Sequence, residues 1–226
     1  MQDVHPVVIV LLVAAGLAVG ILSWRWERRR ARLLRHWARA RGLVRREGQQ
    51  RGWERRYPGQ KILQRGHSRG ATLVLEGQYE GRPTVCLDYR FVTGSGKNRT
   101  THRRAMVIVE TGFPVIPLQI RREHAFDKVG EFLGQDDIDF ESAEFSRTFH
   151  VSSADRKWAY DVIHTRAMEY LLQAPAFTIA FGFGEVAVYK NGKLQAKDAE
   201  EALKLARRLI EMIPDYVRQQ LQGGKT

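Results

Sequence analysis

The chain has 226 residues, 43% hydrophobic and 27% charged, which is room for one ordinary domain and a short appendage. Its net charge of +12 is unevenly placed: between Arg25 and Arg56 stand thirteen arginines and three acids, whereas from Tyr57 onward 24 lysines and arginines face 21 acids. Basicity confined to one stretch argues against a nucleic-acid-binding face, and a single cysteine, Cys86, excludes an internal disulfide or a cysteine-based zinc cluster.

Residues 1–5 precede Pro6 to Trp24, nineteen residues without a charge. As a helix that run is about 28 Å long, which predicts a transmembrane helix over 6–24. A cleaved signal peptide would place positive charge before the apolar run, whereas here the arginines follow it. Charge at one end only orients such a helix: an extracytoplasmic N-terminus, a cytoplasmic C-terminal domain, and a single-pass protein of the cell (plasma or inner) membrane. Trp24 and Trp26 fall where an interfacial aromatic belt belongs. Gly16 and Gly20 form a GxxxG pattern, which permits a homodimer and also arises because glycine is common in spanning helices.

Residues 25–56 read as a basic juxtamembrane amphipathic segment. Trp26, Leu33, Trp37, Ala40 and Val44 recur at helical spacing, and Gly42 is a natural stop. The segment either lies on anionic lipid, through Arg25, Arg28, Arg29, Arg30, Arg32 and Arg35 with Trp24 and Trp26, or packs on the domain through Trp37. Both together are the favoured combination.

The domain is expected over 57–221, with a flexible tail over 222–226. Ala71–Glu80, Thr84–Val92 and a strand through Ala105, Val107 and Val109 alternate in polarity, and a short edge strand through Leu118 and Ile120 follows Pro117. These predict a four-stranded antiparallel meander. Ser152 and Asp155 then form a capping-box-like pair ahead of Trp158, Ala159, Val162 and Ile163. A short helix through Met168, Leu171 and Leu172 stops before Pro175. A hairpin follows, Phe177–Phe183 and Glu185–Tyr189, and a last helix buries Ala202, Leu205, Leu209 and Ile213. The fold class expected is α+β, an antiparallel sheet with helices packed on one face.

No motif survives as a catalytic or cofactor site. Gly94-Ser-Gly-Lys-Asn98 resembles the end of a phosphate-binding loop but lacks its first glycine, its terminal Ser or Thr and a following helix. Gly182-Phe-Gly-Glu-Val-Ala187 is followed by a strand where a dinucleotide site needs a helix. Asp136, Asp137, Asp139 and Glu141 lack the glycine and final glutamate of a calcium loop. His102, Asp155, Asp161 and His164 are the candidates for a pocket, with acid–base work conceivable around the helix after Ser152.

Several stretches, in order, resemble a family of bacterial, chiefly actinobacterial, single-pass membrane-anchored proteins with a domain of unknown function. They are Ala38-Arg-Ala-Arg-Gly42, Tyr79-Glu-Gly-Arg82 with Asp88-Tyr89, and Thr93-Gly-Ser-Gly-Lys-Asn98 with Thr101-His102. Asp139-Phe-Glu-Ser142, Glu144-Phe145, Phe149, Asp155-Arg156 and Ala159-Tyr-Asp161 continue it. The sequence departs at Thr165, where the family tends to proline, and at Leu43, where it has tryptophan. The resemblance implies a shared fold and an anchor, and no activity, cofactor or site residue. The expectation is thus an interaction module docking a protein partner or anionic lipid headgroups, more readily than an enzyme. The alternative is a ligand-binding or hydrolytic domain near Asp155 to His164.

Overall fold

In the computed structural model, residues 6–47, 51–123 and 138–223 are described, with side chains from Ala14 onward. Residues 1–5, Asp136 and Asp137 of the acidic run, and the last three residues of the tail lie outside them.

The expected transmembrane helix is overturned: among the described residues no helix is long and apolar enough to cross a membrane. Pro6–Ala40 instead forms one continuous helix of 35 residues, α1. Arg25 and the arginines after it then continue the same helix without a break. The single-pass topology and the cell-membrane localisation read from that segment fall with it.

The sheet is larger than expected. All eight strands pair antiparallel in the order β1-β2-β3-β4-β8-β7-β5-β6. They are β1 (Leu43–Arg45), β2 (His67–Tyr79), β3 (Arg82–Thr93), β4 (Thr100–Glu110), β5 (Leu118–Arg122), β6 (Phe149–Ser153), β7 (Thr178–Phe181) and β8 (Glu185–Asn191). β2, β3 and β4 form a meander as their alternation predicts, but β5 is not its fourth strand. β8 takes that place because it is apolar at both parities: Val186 and Val188 face one side, Ala187 and Tyr189 the other, all buried. A strand apolar on both faces belongs in the middle of a sheet. β5 is correspondingly displaced to pair with β7 and β6. β1 and β6, of three and five residues, are too short to announce themselves by alternation.

Helices cover both faces rather than one. The first face lies under α1, α5 (Arg156–Val162), α6 (Thr165–Gln173) and α7 (Ala196–Met212), whose apolar stripes join one large core. Trp158 sits at its centre, 2% exposed, with its ring edge-on to Phe181 at 6.0 Å. The N-cap of α5 is Asp155, which accepts from the Trp158 N–H at 2.9 Å, while Ser152 lies back in β6. The second face carries a smaller core under two single-turn helices, α2 (Trp53–Arg56) and α3 (Lys61–Gln64). Trp53, Tyr57, Ile62 and Leu63 pack there on Val85, Leu87, Met106 and Ile108. The link between the two short helices runs against the backbone: a Cβ on Gly59 would stand 2.6 Å from the Gly182 Cα, so only glycine fits. Two more helices are α4 (Ala143–Thr148) and α8 (Asp215–Gly223).

Candidate functional site: an arginine-rich helix face

At about 100° per residue, α1 divides lengthwise into two faces. Glu27, Arg30, Ala31, Leu34, Trp37, Ala38 and Arg41 centre on one side. Arg25, Arg28, Arg29, Arg32 and Arg35 centre on the opposite side.

The first side docks on the domain. Leu34 and Ala38 are each 2% exposed and Trp37 packs beside them, so of the apolar residues spaced along the sequence only Trp37 faces inward. Leu33 and Trp26 point to solvent. Polar contacts fix the register. Arg30 Nη1 donates to Asp88 Oδ2 at 3.0 Å and to the Leu194 carbonyl at 2.7 Å, and its Nε donates to Glu27 at 3.3 Å. Asp88 is buried on β3 and also accepts from the Leu194 N–H, while Lys193 reaches back to Glu27. One turn from the helix end, Glu200 of α7 accepts from Trp37 Nε1 at 2.9 Å and from Arg41 at 2.8 and 3.0 Å. The Arg41 hydrogen bonds hold the Glu200 carboxyl down at about 2, and the Lys193 ammonium lowers that of Glu27. Arg30, grouped by sequence with the outward arginines, is therefore a structural pin.

The second side has no such partners. Arg25, Arg28, Arg29, Arg32 and Arg35 are all exposed, and among the described residues no carboxylate pairs with any of them. Arg28 lies over the Trp24 ring at 3.7 Å, and Arg35 donates only to the Ala31 carbonyl of its own helix. Trp24 and Trp26 stand beside the arginines at 54% and 51% exposure, a large aromatic area left in water. Like charges three and four residues apart cost a helix about 0.2–0.5 kcal/mol per pair. Anions in contact with this face would reverse that sign. Gly16 and Gly20 lie farther out on α1, where a Cβ on either would meet nothing within 4 Å among the described residues.

The pocket candidates are not brought together. His102 stacks on Phe91 at 4.8 Å and contacts the Thr93 hydroxyl, on the second face of the sheet. Asp155, Asp161 and His164 belong to the helices on the first face. Asp155 caps α5; Asp161 takes Lys157 at 2.7 Å and the Tyr216 hydroxyl at 2.8 Å; His164 Nε2 meets the Met212 carbonyl at 3.1 Å. Each is engaged in holding its own element. Among the described residues no three His, Cys, Asp or Glu side chains gather as a metal site, and Cys86 is fully buried, which pushes its thiol far up from the ordinary range.

Two features escaped the sequence. The Arg30–Asp88 pin joins residues 58 apart, and nothing local distinguishes Arg30 from its neighbours. Gln119 and Ser152 are buried polar side chains on β5 and β6, strands whose place in the sheet the sequence did not reveal.

No protein-family model and no curated protein matches the sequence. Among solved structures the chain is similar to the crystal structure of the mycobacterial trehalose monomycolate transport factor A, TtfA. The TM-score is 0.59 at 15% identity, over 81% of this chain and 95% of that one. At that identity the likeness shows a shared fold and nothing further.

Proposed function

We propose that this protein is an interaction module that docks on an anionic lipid surface through the outward face of α1. The observation that carries the reading is the division of one helix into two faces. The inward face is fixed by buried and ionic contacts, and the outward face holds exposed arginines, Arg39 beside the five above, that pair with no carboxylate among the described residues, bordered by Trp24 and Trp26. Tryptophan rings favour the headgroup level of a lipid layer, and each arginine near such a surface contributes about 1 kcal/mol. A partner lipid or protein is in keeping with the name of the structural neighbour, a trehalose monomycolate transport factor.

The test is partition of the full chain onto vesicles of phosphatidylcholine with and without phosphatidylglycerol. Binding should rise with phosphatidylglycerol and fall with salt, since screening shortens from about 8 Å at 0.15 M to about 3 Å at 1 M. Equal partition onto both vesicle types, or indifference to salt, would remove the arginine face from the explanation.

A further inference from the structure

On the second face of the sheet, the cover made by α2 and α3 stops short. Gln60, buried beneath it, donates to the Ala180 carbonyl on β7 at 3.2 Å. Beyond that point lies a cavity of about 40 Å³ lined by Gly59, Lys61, Ile62, Gln119, Ser152 and Ala180, with Tyr189 at its edge. Its floor is a row across the strands, because Ser152 is the cross-strand partner of Gln119 and Gln119 that of Ala180. Lys61 at its rim is exposed, so the cavity reaches solvent.

Two buried polar groups point to an occupant. Ser152 is 2% exposed and Gln119 8% exposed, and among the described residues neither the Ser152 hydroxyl nor the Gln119 Oε1 has a hydrogen-bond partner. The Gln119 Nε2 donates to the Tyr189 hydroxyl at 3.1 Å, and turning the amide over would only exchange which of its two atoms is left alone. A buried polar atom without a partner is costly, so two of them on neighbouring strands facing one cavity form a site that a ligand would complete.

We propose that this cavity binds a small polyol head, two or three carbons bearing adjacent hydroxyls. A hydroxyl both donates and accepts, so it satisfies Gln119 in either amide orientation and Ser152 beside it. One water needs roughly 10–15 Å³ on this measure, so the cavity takes about three groups of that size. Between these groups and Lys61 at the rim, much of the lining is apolar, Ile62, Pro117 and Ala180 among it. Water against those walls would leave hydrogen bonds unmade, whereas the carbon skeleton of a polyol packs on them. The site lies on the opposite face of the sheet from α1 and does not depend on the lipid-docking reading.

Nuclear magnetic resonance of the Gln119 side-chain amide in the full chain provides the test, with glycerol, 1-O-hexylglycerol and 1-propanol as probes. Glycerol should shift the amide saturably, and 1-propanol, with one hydroxyl, should do so about tenfold more weakly. Ser152→Ala should raise the glycerol half-saturation about tenfold, a single hydrogen bond's worth. Ala180→Leu, which fills the floor, should abolish the response, and Ser152→Ala keeps the test open if that variant does not fold. Tighter binding of 1-O-hexylglycerol than glycerol assigns the site to a lipid headgroup, and equal binding assigns it to a free polyol. A shift that stays linear with concentration, or is the same in Ser152→Ala as in the wild type, means ordinary cosolvent effects or resident water and overturns the proposal.

Discussion

Trp158 shows how much a single side chain can hold. Its ring fills the core between α5 and β7, yet its indole N–H has no partner there. Trp158→Ala should cost about 3–5 kcal/mol, the range for truncating a buried large aromatic, and lower the melting temperature accordingly. Trp158→Phe keeps an aromatic in the same space and removes the unpartnered N–H, so it should cost under about 1.5 kcal/mol. Melts of both variants check the pair; equal losses would mean that the indole itself, not the volume it fills, sets the stability. His164→Ala should fall much closer to the wild type, because the one described polar contact of its side chain, made from the start of α6, is with the Met212 carbonyl at the end of α7. The Trp158 stripe was readable in the sequence because its spacing of one, three and one residues matches a helix. The cap was only half readable: Asp155 acts and Ser152 does not, since Ser152 is taken by a strand too short to be recognised.

For the element α1, the sequence shows helicity and charge but not facing. Arginines occupy both sides of the helix, and periodicity cannot rank residues of one type. Asp88 decides the matter by drawing Arg30 inward from β3, a contact made only once the sheet exists. Arg30→Ala leaves Asp88 buried with one of its partners gone. Breaking a buried pair this way costs about 3–5 kcal/mol, here directed at docking of the helix. Hydrogen exchange should then quicken over residues 27–41 while β3 and β4 stay protected; unchanged exchange in α1 would show that Leu34 and Ala38 suffice. The far end of the same interface responds to acid. Glu200 has its carboxyl lowered from 4.5 to about 2 by Arg41, so its contribution is complete above about pH 4.5 and is lost as pH falls toward 2. Glu200→Gln should weaken docking at neutral pH and flatten that part of the acid dependence in the same exchange measurement.

Across the whole molecule, strands with clear alternation were readable and their neighbours were not. β2, β3 and β4 stand side by side as expected, since short turns join them. The order of β8, β7, β5 and β6 is set by pairing between segments far apart in sequence, as far as Arg104 from Asn191, which local patterning does not encode. The apolar N-terminal run misled for a related reason: its charge order fits a spanning helix, but α1 carries the arginines in the same rod. The central claim is that the two sides of that rod are separate devices, and one comparison tests it most directly. Partition onto phosphatidylglycerol vesicles is measured beside thermal stability for two full-length variants, one with Arg25, Arg28, Arg29, Arg32 and Arg35 replaced by Gln and one with Arg30→Gln. The fivefold variant should lose roughly 5 kcal/mol of vesicle affinity, at about 1 kcal/mol per arginine, with an unchanged melt. Arg30→Gln should lower the melt and keep most of the binding. Full binding by the fivefold variant, or the same loss in both, would contradict the division of α1 into a docked face and a lipid face.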